Sequence, residues 1–119
     1  MPSDGSFGIG REGAFEVRQL GADGHFSLVG ELDMAAVDDL FAGLRDAIDR
    51  GGTITLDLRE LTFVDVVGGH AIGVVGGMVA GRGSVVLEAP SCSVLKLLRL
   101  VGAEHFAGVH IAAPLSESA

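Results

Sequence analysis

Several residue types that define common classes of protein are scarce or missing in this chain. It has one cysteine, Cys92, so an internal disulfide is excluded and a reducing compartment is expected. Its single lysine is Lys96, and 8 basic residues stand against 16 acidic ones, which gives a net charge of -8. Such a surface repels nucleic-acid backbones and anionic lipid heads. We therefore expect neither a nucleic-acid nor a membrane partner.

Targeting segments and catalytic clusters are missing as well. The first residues, MPSDGSFGIGREG, do not combine a basic segment with an apolar one, so no secretory signal is predicted. The uncharged run between Asp65 and Arg82 would span only about 24 Å as a helix, less than a bilayer core of about 30 Å. No nucleophile–base pair is present, and the histidines lack metal-ligand spacing. These absences predict a cytoplasmic protein that is not an enzyme and uses no metal or cofactor.

The spacing of apolar residues predicts one α/β domain. Strands are predicted over residues 15–20, 25–29, 53–58 and 84–88, with a short last strand near Phe106 and 109–112. Helices are predicted over residues 34–50, over the glycine-rich segment that follows Asp65, and from Ser91 to Gly102. This order predicts a four-to-five-stranded, mostly parallel sheet that begins with an antiparallel hairpin and carries three to four helices. Residues 1–13 are expected to form a flexible arm, 14–113 the domain and 114–119 a flexible tail.

Four segments in the right order carry a resemblance to a known family. The segment Thr62-Phe63-Val64-Asp65-Val66-Val67-Gly68 resembles the T-F-[IV]-D-S-S-G signature of the STAS domain in anti-sigma factor antagonists. Gly30-Glu31-Leu32-Asp33 is similar to the G-E-L-D before the first helix of that family. Residues 51–58 are similar to its central strand, and residues 94–106 to its last helix and turn. The resemblance covers nearly the whole chain and implies a bacterial regulator of transcription with the STAS fold.

The resemblance also implies how such a protein works. In the family, an unphosphorylated domain binds an anti-sigma factor with a GHKL-type, serine-kinase-like fold, and phosphorylation of the first serine after the aspartate breaks the complex. Here that position is Val66, which has no hydroxyl group. The switch is therefore expected to be lost. The resemblance and the glycine pattern together suggest these partner-binding residues: Glu31, Asp33, Asp65, Val66, Val67, Gly68, Gly69, His70, Gly73 and Gly77. For Asp65 and Asp33, helix N-capping explains the residue type equally well or better.

Glycines are unusually frequent in the predicted second helix. On a helical wheel, the large residues Ile72, Val75 and Val79 share one arc, whereas Gly69, Gly73 and other small residues share the opposite arc. We expect the large residues to pack on the sheet and the small ones to face outward. A partner or a second copy of the chain could then approach this backbone closely. A helix that tolerates glycine because packing holds it, and a frayed helix, are the alternatives.

Three functions fit these features. The leading interpretation is a protein-binding regulator that resembles an anti-sigma factor antagonist and lacks the serine switch. The alternatives are a STAS domain that senses a small ligand or nucleotide, and a structural subunit that associates with itself in a STAS assembly. The nucleotide interpretation is weakened by the absence of a G-x-x-x-x-G-K-[ST] segment.

Overall fold

A mixed sheet of six strands organises the part of the chain that the structure describes. This structure is a computed structural model, and it describes residues 14–21 and 23–112. The predicted flexible arm and tail, and residue 113, lie outside the described residues. The strands are β1 (Glu16–Gln19), β2 (His25–Leu32), β3 (Gly52–Asp57), β4 (Leu61–Val64), β5 (Gly83–Glu88) and β6 (Val109–Ile111). The strand additional to the predicted ones is β4, because residues 61–64 pair with β2 instead of extending the preceding loop.

The pairing pattern confirms the predicted fold class. The path through the sheet is β1-β2-β3-β5-β6, and β4 pairs with the last residues of β2. Only β1 and β2 are antiparallel, as expected for a hairpin, and the remaining pairs are parallel. The hairpin turn and the strand β2 depend on Gly24 and Gly30, which both have positive φ angles that side chains rarely adopt.

Three α-helices connect the strands. They are α1 (Val37–Arg50), α2 (Val66–Val79) and α3 (Cys92–Leu100), and two short 3-10 helices, Met34–Ala36 and Ala103–His105, precede α1 and follow α3. Three of these five helix starts have a side-chain cap: Asp33 caps the first 3-10 helix, Asp65 caps α2 and Ser91 caps α3. A turn at Ala107 and Gly108 separates Phe106 from β6, so Phe106 is not part of the final strand.

Aliphatic side chains form the core between the sheet and the helices. Leu28, Leu56 and Leu87, on three adjacent strands, are fully buried, as are Leu40 and Leu44 of α1. The predicted apolar stripe of α1 is thus confirmed at these helix positions. Helix α2 contacts α1 on one side and α3 with the second 3-10 helix on the other.

The prediction that the glycines of α2 face outward is wrong for Gly69, Gly73 and Gly76, and it is confirmed only for Gly77. A Cβ atom at Gly69 would lie 2.9 Å from Leu97 of α3, and one at Gly73 would lie 2.7 Å from the ring of Phe106. At Gly76 it would overlap the side chain of Val109. Protein lies on both sides of the helix. The absence of side chains at Gly69, Gly73 and Gly76 lets α3, Phe106 and β6 approach its backbone closely. Protein therefore covers both faces of the wheel along most of α2, whereas Gly77 and Met78 near its end are exposed.

Candidate functional site

The carboxyl ends of two parallel strands place two aspartates next to each other at one end of the sheet. Leu32 at the end of β2 is the register partner of Val64 at the end of β4. Each strand is followed at once by an aspartate, Asp33 or Asp65, that caps a helix. Asp33 Oδ1 accepts a hydrogen bond from the Ala36 N–H at 3.1 Å. The starts of α2 and of the first 3-10 helix therefore lie side by side.

The carboxylate of Asp65 joins these two helix starts. Its Oδ1 accepts a hydrogen bond from the Gly68 N–H at 2.7 Å, and its Oδ2 accepts one from the Met34 N–H at 3.2 Å. The Asp65 N–H in turn donates to the Leu32 carbonyl oxygen at 3.2 Å. This confirms the predicted N-cap and adds a second bond that crosses to the neighbouring element. We call this arrangement the Asp65 clamp.

Apolar side chains project into solvent around the Asp65 clamp. Met34 is 69% exposed, Val66 is 56% exposed and Val67 is 44% exposed. Single exposed apolar residues are common on protein surfaces, but three next to one capping carboxylate form a local patch. We call Met34, Val66 and Val67 the apolar patch. Val66 is the first residue of α2, where its side chain makes no contribution to capping.

A shallow pocket lies beside β4. It has a volume of about 220 Å³, and Phe63, Val94 and Leu97 are among the side chains that line it. Phe63 is 47% exposed and is the register partner of Glu31 on β2, so a half-buried carboxylate stands next to an exposed aromatic ring. Glu31 and Phe63 thus belong to the same edge of the sheet as the apolar patch.

His70 extends this surface by one turn of α2. It lies four residues after Val66, so the two side chains point in similar directions. Its exposed imidazole packs edge-on against the ring of Phe106, with the ring centroids 5.3 Å apart and the planes at 83°. This contact fixes the orientation of the imidazole beside the second 3-10 helix.

Comparison with known proteins identifies the family. Residues 15–111 match the family model described as "Mlab, STAS domain". The chain belongs to the STAS domain family. No curated protein matches this STAS domain.

Solved structures share the fold of this STAS domain. The anti-sigma factor antagonist SpoIIAA in its unphosphorylated form matches with a TM-score of 0.61 and 24% identity, over 83% of this chain and 88% of that one. The cell fate determinant SpoIIAA from Bacillus in its phosphorylated form matches with a TM-score of 0.58 and 25% identity, over 83% of this chain and 91% of that one. The mostly parallel sheet with its N-terminal hairpin is thus the fold of an anti-sigma factor antagonist.

The STAS domain brings together only some of the residues that the sequence suggested for partner binding. Glu31, Asp33, Asp65, Val66, Val67 and His70 lie at or near the end of α2 that carries the clamp. Gly68, Gly69 and Gly73 are buried within the domain, so they cannot present their backbone to a partner. Gly77 is exposed, but it lies 11 residues after Val66, about 16 Å further along the helix axis.

Two surface residues of this STAS domain were not predicted to be functional. Met34 follows the capping Asp33, and Phe63 lies in a short strand between the exposed Thr62 and the buried Val64. A large apolar residue directly after an N-cap is a signal that could have indicated Met34. For Phe63 the sequence offers no comparable signal, because the pairing of β4 decides which of its residues are exposed.

The described residues hold neither a metal-binding cluster nor a membrane-spanning helix. Within residues 14–21 and 23–112, no group of three histidine, cysteine or acidic side chains is placed to hold a metal ion. In the same part of the chain, no helix is both long and apolar enough to cross a membrane.

Proposed function

We propose that this STAS domain is a bacterial regulator of transcription that acts by binding a protein partner through the apolar patch, without a serine switch. The observation that carries the proposal is the position of Val66. It is the exposed first residue of α2, and its patch neighbours Met34 and Val67 are exposed as well. Apolar side chains grouped at an ordered helix start are suited to burial against another protein.

Because Val66 has no hydroxyl group, phosphorylation at this position cannot regulate partner binding. In the family signature, serine stands where this chain has Val66. A phosphate there would add about −1.5 to −2 charges to an interface and would have to be desolvated. A valine side chain cannot accept a phosphoryl group, so the apolar patch keeps its chemistry whatever kinases are present.

The proposed partner is an anti-sigma factor with a GHKL-type, serine-kinase-like fold. The fold shared with SpoIIAA, which is described as an anti-sigma factor antagonist, supports this class of partner. The proposal also holds that the domain works in the cytoplasm by binding alone, without catalysis or a cofactor.

Binding measurements with matched variants test the proposal. An anti-sigma factor is first captured from the source cell on the immobilised domain and identified by mass spectrometry. The purified partner is then titrated with the wild-type domain, with Val66→Glu and with Thr53→Glu. Thr53 is exposed at the start of β3, at the opposite end of the sheet. We expect Val66→Glu to weaken binding at least tenfold, about 1.4 kcal/mol, because it buries a charge. Thr53→Glu should bind like the wild type.

The same partner tests the loss of the switch. Incubated with ATP and the captured anti-sigma factor, Val66→Ser should incorporate phosphate at residue 66 and the wild-type domain should not. Capture of no GHKL-type protein, or equal affinities for Val66→Glu and the wild type, would contradict the proposed function.

A further inference from the structure

A second concave surface lies at the other end of α2. It is a groove of about 290 Å³ between α1 and α2, lined by Phe41, Arg45, Ile48, Asp49 and Met78. Met78 lies 12 residues after Val66, which places the groove about 18 Å along the helix axis from the apolar patch. We call this surface the α1–α2 groove. It is separate from the surface assigned to the anti-sigma factor.

The α1–α2 groove has an exposed apolar side chain, Met78, at its α2 side. The Met78 side chain is 48% exposed, although it belongs to a helix that is otherwise largely buried. Next to it, a Cβ atom at Gly77 would meet nothing within 4 Å. An element that docks in the groove therefore contacts the exposed thioether of Met78, and no protein atom near Gly77 blocks its approach.

One positive and one negative side chain, Arg45 and Asp49, border the groove, and neither is paired with another charge among the described residues. Arg45 and Asp49 are both exposed and are four residues apart on α1. Within residues 14–21 and 23–112, neither side chain forms an ion pair. The nearby guanidinium of Arg82 is already committed, since it donates to the carbonyl oxygens of Ile48 at 2.8 Å and Asp49 at 3.2 Å. Arg45 and Asp49 are thus the side-chain charges that an occupant of the groove would meet.

We propose that the occupant is a second copy of this chain, bound through the same groove about a two-fold axis. A two-fold axis perpendicular to α1, near the level of Ala47, sets the two α1 helices antiparallel. Arg45 of each copy then faces Asp49 of the other, and the two ion pairs are equivalent. The two Met78 side chains enter the shared apolar space beside them.

The order of the two charges makes the groove complementary to a second copy of itself and disfavours a partner surface of a single sign. The chain carries a net charge of -8, so most pairs of surfaces on two copies repel each other. The groove is an exception because it presents one charge of each sign in a self-complementary order. A purely acidic partner surface would place a negative charge against Asp49, and a purely basic one would place a positive charge against Arg45.

Charge-reversal variants test this arrangement through the oligomeric state. Sedimentation velocity of the full chain, from about 1 to about 500 µM, should show the mass rising from that of the monomer, 12.1 kDa, towards twice that value. Arg45→Asp and Asp49→Arg each place like charges in contact across the axis and should weaken dimerisation at least tenfold. The double variant Arg45→Asp/Asp49→Arg restores both pairs and should dimerise within threefold of the wild type.

Rescue by the double variant separates this proposal from a general loss of stability. Circular dichroism should show that all four proteins are folded, because both side chains are exposed. A wild-type chain that stays monomeric throughout the range, or a double variant no better than the single ones, would overturn the proposal. The anti-sigma factor titration tests a different surface, so either proposal can fail without the other.

Discussion

At the scale of single residues, glycines in one helix have opposite surroundings. Gly73 of α2 packs under the ring of Phe106, whereas Gly77, four residues later, faces open space. The two are chemically identical and both cost helix stability relative to alanine, by about 0.8–1 kcal/mol. Only at Gly73 does packing offset this cost, because a side chain there would displace the aromatic ring.

The alanine variants of these glycines are expected to change stability in opposite directions. Gly73→Ala places a Cβ atom 2.7 Å from the Phe106 ring and should destabilise the domain by about 1–3 kcal/mol. Gly77→Ala meets no atom and should stabilise it by about 0.5–1 kcal/mol. Urea denaturation of both variants beside the wild type measures the difference. Equal shifts of the same sign would show that the packing around α2 is not as described.

At the scale of structural elements, the Asp65 clamp couples two helices that are distant in sequence. One carboxylate caps α2 through Gly68 and also accepts from Met34, 31 residues earlier in the chain. The parallel pairing of β2 with β4 makes this reach possible, since it places the ends of both strands together. The clamp therefore fixes how Met34, Val66 and Val67 are arranged relative to one another.

Removing the Asp65 clamp should lower the free energy of unfolding by more than removing a helix cap that makes a single capping bond. Asp65→Ala loses two hydrogen bonds and a favourable charge at a helix start, so we expect a loss of about 1.5–2.5 kcal/mol. Ser91→Ala removes one capping bond, from the Val94 N–H at 3.3 Å, and a long, exposed contact with the Ser93 hydroxyl at 3.4 Å, and it should cost about 0.5–1 kcal/mol. Asp65→Asn keeps an acceptor for Gly68 and should fall between them. Chemical denaturation gives the ranking, and an Asp65→Ala loss no larger than that of Ser91→Ala would contradict the clamp.

At the scale of the whole molecule, the acidic surface is poorly balanced by ion pairs. The net charge is -8 with the histidines neutral, and the ion pairs among the described residues that do not require a protonated histidine join only Arg18 to Glu16 and Arg99 to Glu104. All of these pairs are at least partly exposed, where each contributes about 0–1 kcal/mol. Repulsion between carboxylates is therefore the main long-range electrostatic effect on this fold.

Salt is expected to stabilise the domain. Raising NaCl from about 0.01 to about 0.3 M shortens the screening length from about 30 Å to under 10 Å and should raise the free energy of unfolding by about 0.5–1 kcal/mol. The variant Asp23→Asn/Asp46→Asn removes two exposed negative charges and should respond less to salt. Thermal unfolding at low protein concentration measures both. A stability that falls with salt would show that attractive pairs outweigh the repulsion.

Much of the fold could be predicted from the sequence because the local signals agree with the tertiary structure. The stripe of α1, the caps Asp33 and Asp65 and the β-branched run of β3 each indicate one element, and each is found. The strand β4 was missed because its four residues gain their extended pairing only from β2. Of the site, the sequence predicted Asp65, Val66 and Val67 at one helix start but not the exposure of Met34 and Phe63.

The order of the elements, the identity of the caps and the absence of a hydroxyl group at Val66 follow from the amino-acid sequence alone. These are properties of local spacing and side-chain chemistry. Only the tertiary structure decided which face of α2 is covered, because the wheel separates small from large residues but carries no information on what packs against either. It also decided that Asp65 reaches Met34 and that Arg45, Asp49 and Met78 share a groove. Those contacts join residues that lie far apart in the chain, and the pairing of parallel strands and the packing of the helices bring them together.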